Sequence, residues 1–184
     1  MSSTEKRLVF RWIASNTLAW SIGIEITGRL ESFLQIPWVW IACGAIVATA
    51  QWLALRQGLH LPAVWIAGTC AAWVVGIWAG YVHGFLIIDP YWTGLVGGTI
   101  AGVAQSWILW RRVAWPGLWV PSTIVSSTLG WLAGTYTGLW VFETRFDVVT
   151  FLAAGAAGGA VIGVTSAPLL SVMIRQSKPR REAV

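Results

Sequence analysis

Charge is what this chain has least of. Asp, Glu, Lys and Arg make up 10% of its 184 residues, against 57% hydrophobic residues, too few polar groups to cover a water-soluble domain. Acidic residues are the scarcer sign, seven against twelve basic ones for a formal charge of +5. In a soluble chain that balance would suggest nucleic acid. Here the basic residues sit in short segments between apolar runs, where they face cytoplasm and anionic lipid, so nucleic acid is not an expected partner. Histidine and cysteine occur twice each. His60 falls in a connection and His83 near the opposite end of the following run, so they cannot share a metal. Cys43 and Cys70 are expected about 10 Å apart along the helix axes, beyond disulfide reach, and act as small apolar residues. No Walker loop, zinc-protease helix, paired catalytic carboxylates or nucleophile elbow occurs. That argues against an enzyme and leaves any cofactor unidentified.

What is present is apolar and repeated. Gly44-Ala-Ile-Val-Ala48-Thr-Ala-Gln51-Trp52-Leu-Ala-Leu55-Arg56 recurs as Gly98-Thr-Ile-Ala-Gly102-Val-Ala-Gln105-Ser-Trp107-Ile-Leu109-Trp-Arg111. A third copy, Gly159-Ala-Val-Ile-Gly163-Val-Thr-Ser166, puts Ser166 where the glutamines stood and reaches a basic residue at Arg175. A second motif precedes each copy: Trp12 to Gly23 aligns with Trp65 to Gly76 and with Thr123 to Gly134, bringing Asn16, Thr69 and Ser127 into register, and likewise Trp20, Trp73 and Trp131. The unit is a helical hairpin of about 53 to 61 residues, present three times. The expected fold is therefore an all-α integral membrane protein. Its six transmembrane helices form three repeated hairpins in a pseudo-threefold bundle.

The spans fall at about 8 to 28, 37 to 56, 63 to 86, 91 to 110, 118 to 141 and 148 to 174, each near the roughly 20 residues needed to cross hydrocarbon. Together they make a single transmembrane domain, with repeats at about 8–56, 63–112 and 118–175 and a tail of 176–184. The apolar run from Leu8 carries Arg11 and Glu25 and offers no small-x-small cleavage site, so it stays as the first span. Pro37, Pro62, Pro90, Pro116 and Pro121 mark starts, where a missing N–H costs nothing. Pro168 lies inside the last span and is expected to kink it, with Thr165 or Ser166 taking the freed carbonyl.

Lys6, Arg7, Arg11, Arg56, Arg111, Arg112, Arg175, Lys178, Arg180 and Arg181 fall on one side of this arrangement, and Arg29 and Arg145 on the other. Both termini are then cytoplasmic. Glu31, Asp89, Glu143 and Asp147 form an acidic rim opposite. Trp38, Trp40, Trp92 and Trp140 read as one interfacial belt, and Trp52, Trp65, Trp110, Trp115 and Trp119 as the other.

Small-xxx-small stripes, such as Gly94, Gly98 and Gly102 or Gly155, Gly159 and Gly163, mark the packing faces. Gln51 and Gln105 lie seven residues after Gly44 and Gly98, on the same helical face, and so point into the bundle. Asn16, Thr69, Ser127 and Ser166 come out at nearly the same depth. Each of the first three precedes a repeat-equivalent tryptophan, Trp20, Trp73 or Trp131, by one turn. Two readings stand: interhelical hydrogen-bond glue at about 0.6 to 2 kcal/mol per bond, or the wall of a polar and aromatic cavity opening to the cytoplasm. Glu25 is the intramembrane carboxylate. It admits an interfacial pair with Arg29 at i+4, a ligand-binding or proton-carrying role, or a partner-subunit contact.

The glycine, Gln-Trp and Arg pattern closing the even spans, through Gly159 to Gln176, resembles a group of uncharacterised bacterial multi-pass proteins built from such repeats. The resemblance implies repeat architecture and a bacterial inner (cytoplasmic) membrane, with no activity attached. In size and topology alone, the chain also resembles the vitamin-capturing subunits of energy-coupling-factor transporters. The expected function is binding of a lipophilic or aromatic small molecule or a lipid, or service as a subunit of a membrane complex. The alternative is a small transporter, channel or substrate-capturing transporter subunit. The expected partners are the lipid bilayer and a lipophilic ligand or partner membrane subunit.

Overall fold

The computed structural model describes residues 2–34, 39–83, 89–144 and 149–176. They form six α-helices and no strand: α1 (Ser3–Leu34), α2 (Trp40–Leu59), α3 (Val64–His83), α4 (Pro90–Leu109), α5 (Trp119–Thr144) and α6 (Val149–Arg175). Pro37, Trp38, Arg145, Asp147, Lys178, Arg180, Arg181 and the side chain of Glu31 lie outside the described residues. Two of the helices, α3 and α6, are long and apolar enough to cross a membrane.

α1 runs further in both directions than the apolar pattern alone marks. Its start is a capping box: the Glu5 N–H donates to Ser2 Oγ and the Ser2 N–H to Glu5 Oε2, both at 3.2 Å, so two orphan donors of the first turn are satisfied reciprocally. Toward its other end Arg29 pairs with Glu25 one turn back. α4 starts on Asp89, whose carboxylate accepts from the backbone N–H groups of Tyr91 (2.9 Å) and Trp92 (3.1 Å), with Pro90 in the first turn.

The helices close into a ring in which each packs against its chain neighbours and α6 returns to α1. Glycine permits the close approach at every interface. A methyl group at Gly159 or Gly155 would collide with the backbone carbonyl of Asn16 or Trp20 across α1–α6. One at Gly76 would meet Gly97 across α3–α4, and one at Gly94 would meet Thr128 across α4–α5. This is van der Waals packing of backbone on backbone, the mode the small-residue stripes imply.

Three details depart from expectation. His60 leaves α2 in the left-handed region (φ 50°), and the Leu61 carbonyl accepts from Trp52 Nε1 at 2.9 Å. The connector therefore climbs back along α2 before α3 begins. That raises Cys70 to the level of Ile41 and Gly44: its thiol approaches the Ile41 carbonyl at 3.6 Å, and a methyl at Gly44 would lie 3.3 Å from its sulfur. Cys43 and Cys70 thus share a level rather than standing about 10 Å apart, and both are free thiols. Secondly, α6 continues through Pro168. Ser166 Oγ and Thr165 Oγ1 donate to the carbonyls of Ile162 and Val161, both at 2.6 Å, instead of to that of Val164, which the proline frees. Thirdly, Trp40, Trp65 and Trp119 are buried inside the ring, whereas Trp110, Trp115 and Trp140 are exposed.

Candidate functional site

The six polar positions singled out by the repeats come together. Asn16, Thr69, Ser127, Gln51, Gln105 and Ser166 are all buried, none more than 3% exposed. Trp119 Nε1 donates to Gln105 Oε1 (2.7 Å), Gln105 Nε2 to Thr69 Oγ1 (2.8 Å) and at longer range to Gln51 Oε1 (3.4 Å), and Gln51 Nε2 to Asn16 Oδ1 (2.8 Å). On the closing side, Asn16 Nδ2 donates to the Trp12 carbonyl (2.9 Å) and Trp12 Nε1 to Ser166 Oγ (2.8 Å). The chain of bonds runs from α5 to α4, which branches to Thr69 on α3 and, at longer range, to Gln51 on α2, and continues from α2 through α1 to α6, a belt that ties every helix of the ring to another.

This belt has almost no room inside it. A void of about 10 Å³, lined by residues of all six helices, is the space beside the unpartnered Ser127 hydroxyl, at the lower limit for one water molecule. Toward the basic end it is sealed by Trp12, Leu55, Trp65, Leu109, Trp119, Leu170 and Met173. The inner layer is therefore a packed hydrogen-bond belt, and the expected opening toward the basic end is filled with apolar side chains.

On the other side of the belt lies an aromatic layer. Trp20, Trp73 and Trp131 meet pairwise: Trp20 is 4.8 Å from Trp73 and 5.6 Å from Trp131 in edge-to-face geometry, and Trp73 and Trp131 are 6.5 Å apart. Trp40 adds a fourth ring, 6.3 Å from Trp131. The Nε1 donors of Trp20, Trp73 and Trp131 are buried without a partner. Edge-to-face neighbours offer them only weak π acceptors.

Beyond the aromatic layer is a groove of about 980 Å³ lined from α1, α5 and α6 together with Trp40. Trp20, Trp131 and Ile162 form its base, and Ile24, Leu139, Phe142, Ala154 and Phe151 its walls. Glycines 130, 134, 138, 155, 158 and 159 also border it, their missing side chains taken up by the close contacts of α5 with α6 and of α6 with α1. Its polar lining is Arg29, Thr135 and Thr150. Sequence reasoning identified the stripes as packing faces and missed that they also border a cavity; the signal was the coincidence of two glycine stripes, on α5 and α6, with two of the equivalent tryptophans.

Glu25 stands apart from the belt. Oε1 pairs with Arg29 Nε, Oε2 is buried without a partner, and the side chains are 14% and 51% exposed, respectively. The pair lies at the groove's rim through Arg29.

A second carboxylate, Glu5, was also missed. It is 4% exposed, accepts from the Ser171 hydroxyl and receives Arg175 Nε at 2.6 Å, while Arg175 Nη2 donates to Ser171 Oγ at 3.1 Å. These contacts fasten the first turn of α1 to the last turns of α6. The Ser171 hydrogen bond, helped by Arg175 and the Ser2 backbone and opposed by desolvation, holds the Glu5 carboxyl below the usual carboxylate range. The Ser2-x-x-Glu5 spacing carried the signal for the cap, though nothing local carried the one for Arg175.

Among the described residues no group of three or more His, Cys, Asp or Glu side chains has metal-binding geometry. No protein-family model, curated protein or solved structure matches the chain.

Proposed function

We propose that the chain is a six-span integral membrane protein, its three hairpins arranged with pseudo-threefold symmetry and its basic end cytoplasmic, that binds a lipophilic small molecule or a lipid in the groove beyond the tryptophan layer. The groove carries the reading. At about 980 Å³ it matches the few hundred to about 1,000 Å³ of small-molecule sites, which are mostly apolar and aromatic with a few polar groups. Arg29 and two threonines are a set for orienting a ligand rather than for transforming one.

Several features support membrane embedding. Phe10, Leu18, Val103, Val125, Leu139 and Val164, on α1, α4, α5 and α6, are all more than half exposed, an amount of apolar surface that lipid suits better than water. Four helices fall short on hydropathy: α4 and α5 are rich in Gly, Ser, Thr and Trp, and α1 and α2 also carry Asn16, Glu25, Arg29, Gln51, Arg56 and Gln57; Gly enrichment and interfacial Trp are nonetheless common in transmembrane helices. The mutual contact of Trp20, Trp73 and Trp131, one from each hairpin, supports the pseudo-threefold arrangement, and the ten basic residues expected on one side support the orientation.

A second reading, a small transporter or transporter subunit, is favoured by one observation. Ile162 borders both the groove and the central void, so a single side-chain layer separates them.

The test is mass spectrometry and an absorption spectrum of the purified protein. A stoichiometric lipid, quinone-like compound or pigment that is lost when Thr135→Phe or Ile24→Trp fills the groove supports binding. A clean apoprotein that passes solute in liposomes supports transport instead. Cysteines placed at Ser3, Gln57 and Ser177 should resist labelling from outside intact cells; reaction at all three contradicts the orientation.

A further inference from the structure

We propose that the trough between α1 and α2 at the basic end is a binding site for one anionic phospholipid, its phosphate held by Arg11 and Arg56 and one acyl chain laid against Ala14, Ala50 and Leu53. The site is separate from the tryptophan groove. It rests on the membrane-spanning reading but not on a ligand in that groove.

The trough has a volume of about 460 Å³ and both arginines line it. Neither has a carboxylate: among the described residues the ion pairs are Arg29–Glu25 and Arg175–Glu5. Each guanidinium is instead held by a neutral group. Arg11 Nη1 donates to Gln57 Oε1 at 3.1 Å, and Arg56 lies 4.7 Å above the ring of Trp52, which is itself anchored on the Leu61 carbonyl. Two cations are thus held in place with their charge uncompensated. Guanidinium forks suit phosphate oxygens, because several N–H donors converge on them.

The remainder of the lining is apolar and lies further from the basic end. Ala14 is one turn beyond Arg11 along α1, and Ala50 and Leu53 precede Arg56 on the antiparallel α2. The alanines leave the trough open as a channel for a chain. A charged head at the end of the helices with an apolar strip leading toward their middle is the layout of a phospholipid in its leaflet. Two cations with no acidic neighbour select a net anionic head over a zwitterionic one.

The experiment is native mass spectrometry of the full chain from detergent, titrated with phosphatidylglycerol or with phosphatidylcholine of the same chains. The expected result is one retained phosphatidylglycerol, with Arg11→Gln and Arg56→Gln each weakening it about tenfold, the loss of one charge-assisted hydrogen bond. Arg111→Gln, at the same end but outside the trough, should leave it unchanged. Ala14→Trp, which blocks the channel with both arginines intact, should also weaken it. Equal loss in Arg111→Gln, retention in Ala14→Trp, equal binding of phosphatidylcholine, or equal competition by free glycerol phosphate would each overturn the proposal. Failure of the membrane reading is separately visible, as release of the protein from membranes by alkaline carbonate.

Discussion

Replacing Gln105 by leucine removes the busiest node of the polar belt while keeping the volume. The side chain accepts from Trp119 at 2.7 Å and donates to Thr69 at 2.8 Å and to Gln51 at 3.4 Å. Two well-formed interhelical bonds contribute about 0.6 to 1.7 kcal/mol each. Their loss also orphans the indole N–H of Trp119, which is 2% exposed, and an unmade buried bond costs about 1 to 3 kcal/mol. Because the orphan cost already contains part of the lost bond, the sum for Gln105→Leu is about 2 to 4 kcal/mol. Gln51→Leu loses one good bond, to Asn16 at 2.8 Å, and strands the buried Asn16 Oδ1, so it should cost about 1 to 3 kcal/mol, less than Gln105→Leu because one strong bond rather than two is lost. The assay is equilibrium unfolding in micelles or bicelles, with the double variant Gln105→Leu/Trp119→Phe completing a cycle. Trp119→Phe deletes the donor that Gln105→Leu strands, so the pair should be less destabilising than the sum by about 1 kcal/mol or more. Gln105→Leu no more costly than Gln51→Leu, or additivity within about 0.5 kcal/mol, would refute the belt as a cooperative tie.

Glu25→Gln should leave stability and any ligand nearly unchanged, since a partly exposed i,i+4 pair contributes about 0 to 1 kcal/mol; loss of a co-purifying ligand would assign Glu25 a binding role. The folded-state pKa of Glu5 is depressed, so the stability it contributes is present above the unfolded value of about 4.3 and fades as pH falls through the lower folded value. Melting temperatures of wild type and Glu5→Gln should accordingly converge below about pH 4 and stay apart at neutral pH; a constant gap down to pH 3 would contradict the clasp. Gly159→Ala should destabilise markedly, because its methyl meets the Asn16 carbonyl, whereas Gly68→Ala should be tolerated, its methyl lying 3.4 Å from the Ala104 side chain; thermal stability of the two variants decides it.

Much of this organisation was legible in the sequence because it rests on periodicity. The six helices, the glycine faces and the convergence of Asn16, Thr69, Ser127, Gln51, Gln105 and Ser166 follow from three copies of one hairpin. The levels of Cys43 and Cys70 did not follow, because a connector that doubles back along α2 leaves no mark on helix periodicity. Nor did the burial of Trp65 and Trp119: an indole suits an interfacial belt or a bundle interior equally well, and only the partners of its N–H distinguish the two. The groove escaped for a related reason. A glycine stripe marks a face where helices meet, and whether the helices it joins leave space beside their contact depends on how the ring closes.

The proposed function divides the labour, with the polar belt holding the helices together and the groove beyond the tryptophan layer taking the proposed ligand. The most direct measurement compares ligand content and melting temperature in purified Gln105→Leu and Thr135→Phe. The account predicts that Gln105→Leu melts earlier with its ligand retained, and that Thr135→Phe loses the ligand with the fold preserved. The reverse pattern, ligand lost from the glutamine variant and kept by the filled groove, would contradict it.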